Sequence, residues 1–283
     1  MSYATTMPWT LESIDLSKID ASRVRDNEDL FLLLCSSSFV ESGSDLYTHN
    51  LVEHFAEDEI LRTWLADHWE QEELQHGRTL AAYVRHVWPE FDWEQGFKAF
   101  WNEYGAVCTA EELETSRGLE LAARCVVETG TASLYRALHT MTDEPVLKQI
   151  TNNLKTDEVR HYKHFYQAFR VYRDREKLSR FQIFKALLKR VREIKNEDSD
   201  IALRHVFNLR YPELASSDAE FRRIPHSPER QLPRTLPPEM PLKTLLKPLG
   251  LPASPQLLLL PLLSTSTVTL LLPRTSSSYH CRH

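Results

Sequence analysis

The sequence predicts an all-α protein. Its plan is a four-helix bundle with a long crossover between helices two and three, an extra C-terminal helix and an irregular Pro-rich tail. Three observations predict this. Two segments carry their buried-type residues at helical steps: Leu65, Trp69, Glu73, His76, Leu80, Tyr83, Val87, and Ile150, Leu154, Glu158, His161, Phe165, Ala168, Tyr172. Steps of three and four make one stripe of an amphipathic helix. The chain also repeats itself. Glu41-Ser-Gly-Ser is echoed by Glu128-Thr-Gly-Thr, and Glu72-Glu73-x-x-His76 by Asp157-Glu158-x-x-His161, at Glu-to-Glu intervals of 32 and 30 residues. Finally, 12 of the 15 prolines fall in 212–283, a density that forbids helix and sheet alike.

In chain order, residues 1–27 are polar and read as a mobile arm. A first helix runs from about Asp29 to Glu57, and a second from about Asp58 to Val87, where Pro89 stops it. Residues 88–110 read as a long connection rich in aromatics (Trp88, Phe91, Trp93, Phe97, Phe100, Trp101). Thr109-x-x-Glu112 has the form of a capping box and opens the third helix, to about Met141. Asp143 and Pro145 start the fourth, to about Arg173. One long link with short links elsewhere is single-crossover connectivity. A fifth, basic helix covers about Ser179 to Asn196. Its lysines and arginines read as a solvated face that an acidic carrier protein would also suit. The helical domain is thus 28–210, and 211–283 is a disordered tail. The tail shares no compositional habit with the bundle, as a frameshift out of the native coding sequence would produce. Its apolar runs, Leu257–Leu260 and Leu270–Leu272, are interrupted by Pro261 and Ser264–Thr267. A membrane span needs about 20 continuous apolar residues, so no membrane anchor is expected.

Residues 1–213 carry a net charge of −10 and residues 214–283 one of +4. The acidic part gives no hint of nucleic-acid binding. Cys35, Cys108, Cys125 and Cys281 have no Cys-x-x-Cys spacing. That argues against a zinc or rubredoxin module and fits a reducing, cytoplasmic setting; the first three read as buried structural thiols. No basic-then-apolar signal peptide opens the chain.

The chemistry lies in the repeat. Glu73, His76, Glu158 and His161 sit on the apolar seams, where a carboxylate loses several kcal/mol of hydration unless it is countered. Two divalent cations would balance Glu41, Glu73, Glu128 and Glu158. One Glu-x-x-His is weak, since about one arises by chance at this composition. Two on apolar seams, each preceded by a matching Glu, form the ligand inventory of a di-iron centre in a four-helix bundle. Mixed carboxylate and imidazole ligation suits Fe(II), with a mixed iron–manganese centre as the variant. Gly130 and Gly43 lie among small residues beside Glu128 and Glu41. They read either as room for O₂ and substrate or as close helix packing.

Glu72-Glu73-Leu-Gln-His76-Gly77 and Thr156-Asp157-Glu158-Val-Arg-His161 resemble the acyl-carrier-protein desaturases of the ferritin-like di-iron carboxylate superfamily. The resemblance covers about residues 28–172 and is specific for the metal site. It implies Glu41, Glu73, His76, Glu128, Glu158 and His161 as ligands of two iron ions. It implies O₂ activation that desaturates or hydroxylates an organic substrate, such as an acyl chain on a carrier. It also implies contact between Asp157 and His76; the internal repeat then assigns Glu72 to His161. Thr131, one turn after Glu128, matches a Thr implicated in proton delivery, although helical Thr hydroxyls also bond back to carbonyls. The chain has no flavin or ferredoxin motif, so an external donor, a ferredoxin or a flavin reductase, is required. A homodimer is the expected assembly. Leu80 and Phe165 stand where a ribonucleotide-reductase small subunit would place its radical Tyr. Leu154 stands where arylamine oxygenases add a His, and the cysteine-rich module of rubrerythrins is absent. The competing classes are a ferritin-type iron oxidation and storage protein and a metal-free helical interaction protein.

Overall fold

The computed structural model describes residues 7–193, 198–215, 221 and 244–250. Among them the regular structure is helical throughout, with no strand. Helix α1 (Glu28–Ser42) starts where the Asn27 side chain accepts from the Leu30 amide, satisfying one of the free N–H groups of the first turn. It ends at Gly43, and the chain turns directly into α2 (Ser44–His54). The single long helix expected to Glu57 is therefore broken at the repeat motif. α3 (Glu59–Trp64), capped by Asp58, passes through a π-helical turn at Leu65–Trp69 into α4 (Glu70–Val87). Such turns insert a residue without ending the helix.

The connection after Pro89 is a helix, α5 (Trp93–Val107), opened by Asp92 accepting from the Gln95 amide. Its aromatics mark a face rather than a loop: Trp93, Gly96 and Phe100 are buried at steps of three and four. The third bundle helix starts later than expected. Thr109 opens only a single 3₁₀ turn, Ala110–Glu112, and α6 (Arg117–Met141) begins where Ser116 accepts from the Leu119 amide. α7 (Pro145–Arg175) has Pro at its first position, where a missing N–H costs nothing. Its cap is Glu144, which accepts from the Val146 and Leu147 amides, rather than Asp143. α8 (Arg180–Glu193) is basic as expected, yet Ile183, Leu187, Arg190 and Val191 are buried. α9 (Asp198–Arg210) follows and packs on α1 and α5.

α6 packs along α7, α1 packs along α4, and α4 meets α7. The short 142–144 link makes α6 and α7 an antiparallel hairpin. The apolar interior forms two clusters. One holds Phe31, Leu34, Phe39, Leu80, Tyr83, Trp88, Leu138 and Leu154. The other holds Leu51, Trp64, Trp69, Val126, Tyr162, Phe165 and Leu187. Along the π-helical turn and α4 the order is Trp69, then Glu73 and His76, then Leu80; on α7 it is Leu154, then Glu158 and His161, then Phe165. The acidic and imidazole groups thus form a buried polar layer between two apolar blocks.

Residues 7–27 differ from the mobile arm read from the sequence. They form three 3₁₀ turns, Leu11–Ser13, Leu16–Lys18 and Ala21–Arg23, and Ile14 and Val24 are buried against the first cluster. Burying these two side chains contributes the order that local propensity lacks. Within the tail, Leu245, Leu246 and Leu249 pack on the second cluster, and the Tyr162 hydroxyl donates to the Thr244 carbonyl at 2.9 Å. Residues 216–220, 222–243 and 251–283, with the apolar runs at 257–260 and 270–272 and with Cys281, lie outside the described residues. Among those described, no helix is long and apolar enough to cross a membrane.

Candidate metal centre

The six residues singled out from the repeat converge. Glu41 comes from α1, Glu73 and His76 from α4, Glu128 from α6, and Glu158 and His161 from α7; all six are buried. They fall into two overlapping groups, each with donor atoms within 4.8 Å of one another. Glu41, Glu73, His76 and Glu158 form one; Glu73, Glu128, Glu158 and His161 form the other. Both could hold a metal ion. His76 Nδ1 lies 3.6 Å from Glu73, 3.7 Å from Glu41 and 3.3 Å from Glu158. His161 Nδ1 lies 3.0 Å from Glu73, 3.5 Å from Glu128 and 3.7 Å from Glu158.

The outer face of each imidazole is clamped. His76 Nε2 is 3.1 Å from Asp157 Oδ2, and His161 Nε2 is 2.7 Å from Glu72 Oε2. A carboxylate at Nε2 fixes the proton there and leaves the Nδ1 lone pair facing inward. Arg160 bridges the two clamps, 2.8 Å from Glu72 and 2.9 Å from Asp157. The inner face is left unsatisfied: His76 Nδ1, His161 Nδ1, Glu128 Oε2 and Glu158 Oε1 are buried without a hydrogen-bond partner. Buried polar atoms are ordinarily paired. These four orphans belong to the two overlapping groups, where a cation would satisfy them, so this donor set fits a metal.

Protonation tells the same story. Burial, then repulsion from Glu73, pushes the Glu41 carboxyl well above the usual range. Burial does the same to Glu128, partly offset by His161. Burial also works on Glu73, but the close approach of the His161 and His76 imidazoles overrides it and holds this carboxyl well below the usual range. Burial works against the charged form of both imidazoles, yet Asp157 and Glu158 hold His76 well above its usual value, and Glu128 and Glu158 do so for His161. Without a cation, the cluster balances its charge with protons.

Thr131 Oγ1 is 3.0 Å from Glu158 Oε2, 3.2 Å from the Val127 carbonyl and 3.3 Å from the Glu128 carbonyl. Its single proton can serve either the cluster or the helix backbone. A cavity of about 300 Å³ opens beside the cluster, lined by Trp69, Val127, Glu128, Gly130, Thr131 and Leu134 among others. A Cβ added at Gly130 would meet nothing within 4 Å, whereas one at Gly43 would come within 3.1 Å of Phe100. Gly130 leaves room, and Gly43 allows close packing.

Three contributors escaped the sequence reading. Trp9 Nε1 donates to Asp157 Oδ2 at 2.7 Å, and its ring lies parallel to His76 at 6.0 Å. Nothing local in the sequence links residues 148 apart. The Tyr135 hydroxyl makes a short hydrogen bond to Glu41; its helical step from Glu128 and Thr131 could have revealed it. Arg160 follows Glu158 by two positions and carries no spacing signal. Comparison of the chain with protein-family models, with curated proteins and with solved structures finds no match.

Proposed function

We propose that this protein is a non-haem di-iron oxidoreductase that uses O₂ to desaturate or hydroxylate an organic substrate. The observation that carries the reading is the set of four inward, unpartnered donor atoms on a cluster of four glutamates and two histidines. In this reading α1 and α4 pair with α6 and α7 as the four ligand helices of a ferritin-like bundle, and α5 lies in its crossover. Glu73 and Glu158 belong to both groups and would be shared by two ions, with Glu41 and His76 at one and Glu128 and His161 at the other.

Two irons held there would supply the redox change that lets O₂ take hydrogen from an unactivated C–H bond. In desaturation, O₂ accepts two hydrogens from the substrate and two electrons and two protons from the donor side, leaving an alkene and two waters. In hydroxylation one oxygen atom enters the product and the other leaves as water. A ferredoxin or flavin reductase is the electron source. The chain's own residues have narrower tasks. Asp157 and Glu72 fix the imidazole tautomers. The Thr131 hydroxyl can donate its hydrogen bond either to Glu158 or to the α6 carbonyls, and when turned to Glu158 it can relay a proton at that carboxylate. The apolar walls of the cavity exclude water and orient the substrate.

The deciding experiment is the iron content after anaerobic loading with excess Fe(II), one exposure to O₂ and desalting. About two irons per chain is the expected result. Many irons per chain would favour storage, and none would sink the proposal.

A further inference from the structure

The cavity beside the cluster contains a second charged feature. Arg124 lines it at 4 % exposure, one helical turn before Glu128. It donates no hydrogen bond to any described residue, and its Nε is buried without a partner. Its contacts are an ion pair with Glu120, 3.2 Å from Nε, and the face of Tyr47, with the guanidinium 4.1 Å from the ring centre. Glu120 is itself heavily committed. It accepts from the Tyr47 hydroxyl and the Glu114 amide, both at 2.9 Å, and it lies 3.7 Å from Arg190. Arg190 lines the same cavity and approaches Glu193 at 3.6 Å. Apart from the cluster glutamates, Asp198 is the one carboxylate among the described lining residues.

A buried guanidinium with free donors is costly unless an acceptor arrives. A carboxylate matches its fork with two parallel, charge-assisted bonds. Val40, Trp69, Val127 and Leu134 give the cavity lining apolar surface. A water-sized volume is about 30 Å³, so the cavity's roughly 300 Å³ suits a molecule of about ten heavy atoms. Four residues of helix separate Arg124 from Glu128, a rise of about 6 Å.

We propose that this cavity takes a small organic carboxylate, its head group on Arg124 and its carbon chain running toward Glu128 and Glu158. A carrier-linked thioester has no such head group. That the chain is then oxidised rests on the di-iron reading; the carboxylate site itself does not.

The test is calorimetric titration of chelator-treated, full-length protein with hexanoate and octanoate and with the matching primary amides. Wild type is expected to bind the carboxylates at least tenfold more tightly than the amides. Arg124→Gln should erase that preference and Arg124→Lys should keep part of it. Equal binding of acid and amide by wild type, or a preference that survives Arg124→Gln, would overturn the proposal. Should Arg124→Gln lose its helical circular dichroism, Gly130→Leu decides, because its added side chain enters open space. It should keep the fold and lose acid and amide alike; unchanged octanoate binding would rule the cavity out. Metal content per chain, measured separately, keeps the two readings apart. A carboxylate preference without bound metal would defeat the di-iron reading alone. Bound metal without the preference would defeat the carboxylate site alone.

Discussion

Gly130 and Gly43 occupy matching places in the two repeats, yet only Gly130 has space for a side chain. Gly130 sits within α6 and costs about 1 kcal/mol relative to Ala. Gly130→Ala should therefore raise the unfolding free energy by about 0.5–1 kcal/mol. Gly43→Ala should give no gain, because Phe100 must move. Thermal melts of the two variants check this, and an equal gain in both would contradict the assignment of their roles.

The clamps on the imidazoles predict a loss of metal affinity without a loss of fold. Glu72→Gln and Asp157→Asn each weaken the partner of an Nε2 proton. Each should lower metal affinity by about 10–100-fold. Competition against a chromophoric chelator measures it. Unchanged affinity in both variants would show that the clamps do not tune the site.

The metal-free protein should grow less stable as pH rises from about 5 to 8. Glu41, Glu128, His76 and His161 are held above their usual values. Folded, they keep protons that the unfolded chain releases, so their stabilisation is full below the unfolded pKa and fades as pH climbs through the folded one. Glu73, shifted down, has the opposite sign: its contribution is lost as pH falls below the normal carboxylate range. Melting temperatures in chelator should fall across that window. Metal loading should flatten the profile and release protons to the buffer. A melting temperature that rises with pH in the metal-free protein would refute the assignment.

Trp9 ties the N-terminal segment to the centre. Trp9→Phe keeps the ring but removes the donor to Asp157, which should cost about 1 kcal/mol. Urea unfolding reads the loss directly. Asp157→Asn combined with Trp9→Phe should cost less than the sum of the single changes, and strict additivity would show that the contact contributes nothing.

The sequence made the polar layer legible because its residues obey two local rules: helical spacing on α4 and α7, and repetition between α1–α4 and α6–α7. Asp157 was placed opposite His76 by the family resemblance alone, and the repeat then carried Glu72 to His161. The break at Gly43 was not legible, since Ser-Gly-Ser within an apolar run is compatible with a continuous helix. α5 was hidden because Trp88 and Phe91, which precede it, ran together with Trp93, Phe97, Phe100 and Trp101 into one aromatic stretch, although the last four by themselves follow helical steps. Thr109 and Glu112 have capping-box spacing, but the chain between them and Ser116 bends back, and the helix begins where Ser116 finds the Leu119 amide. Trp9 belongs to a class of contact that only tertiary structure creates: a polyproline-free, polar segment held in place by two buried side chains and one indole.

Glu73 and Glu158 each belong to both donor groups, and they come from opposite halves of the chain. Neither half, cut apart in the 109–116 stretch, would carry a complete set for even one ion. A cation in this layer would act as a weld between the halves, the part a disulfide plays in extracellular proteins. The described cysteines are all unbridged. Separated fragments would be expected to rejoin only when metal is supplied, and loss of metal from the intact chain would loosen both halves together rather than one end first.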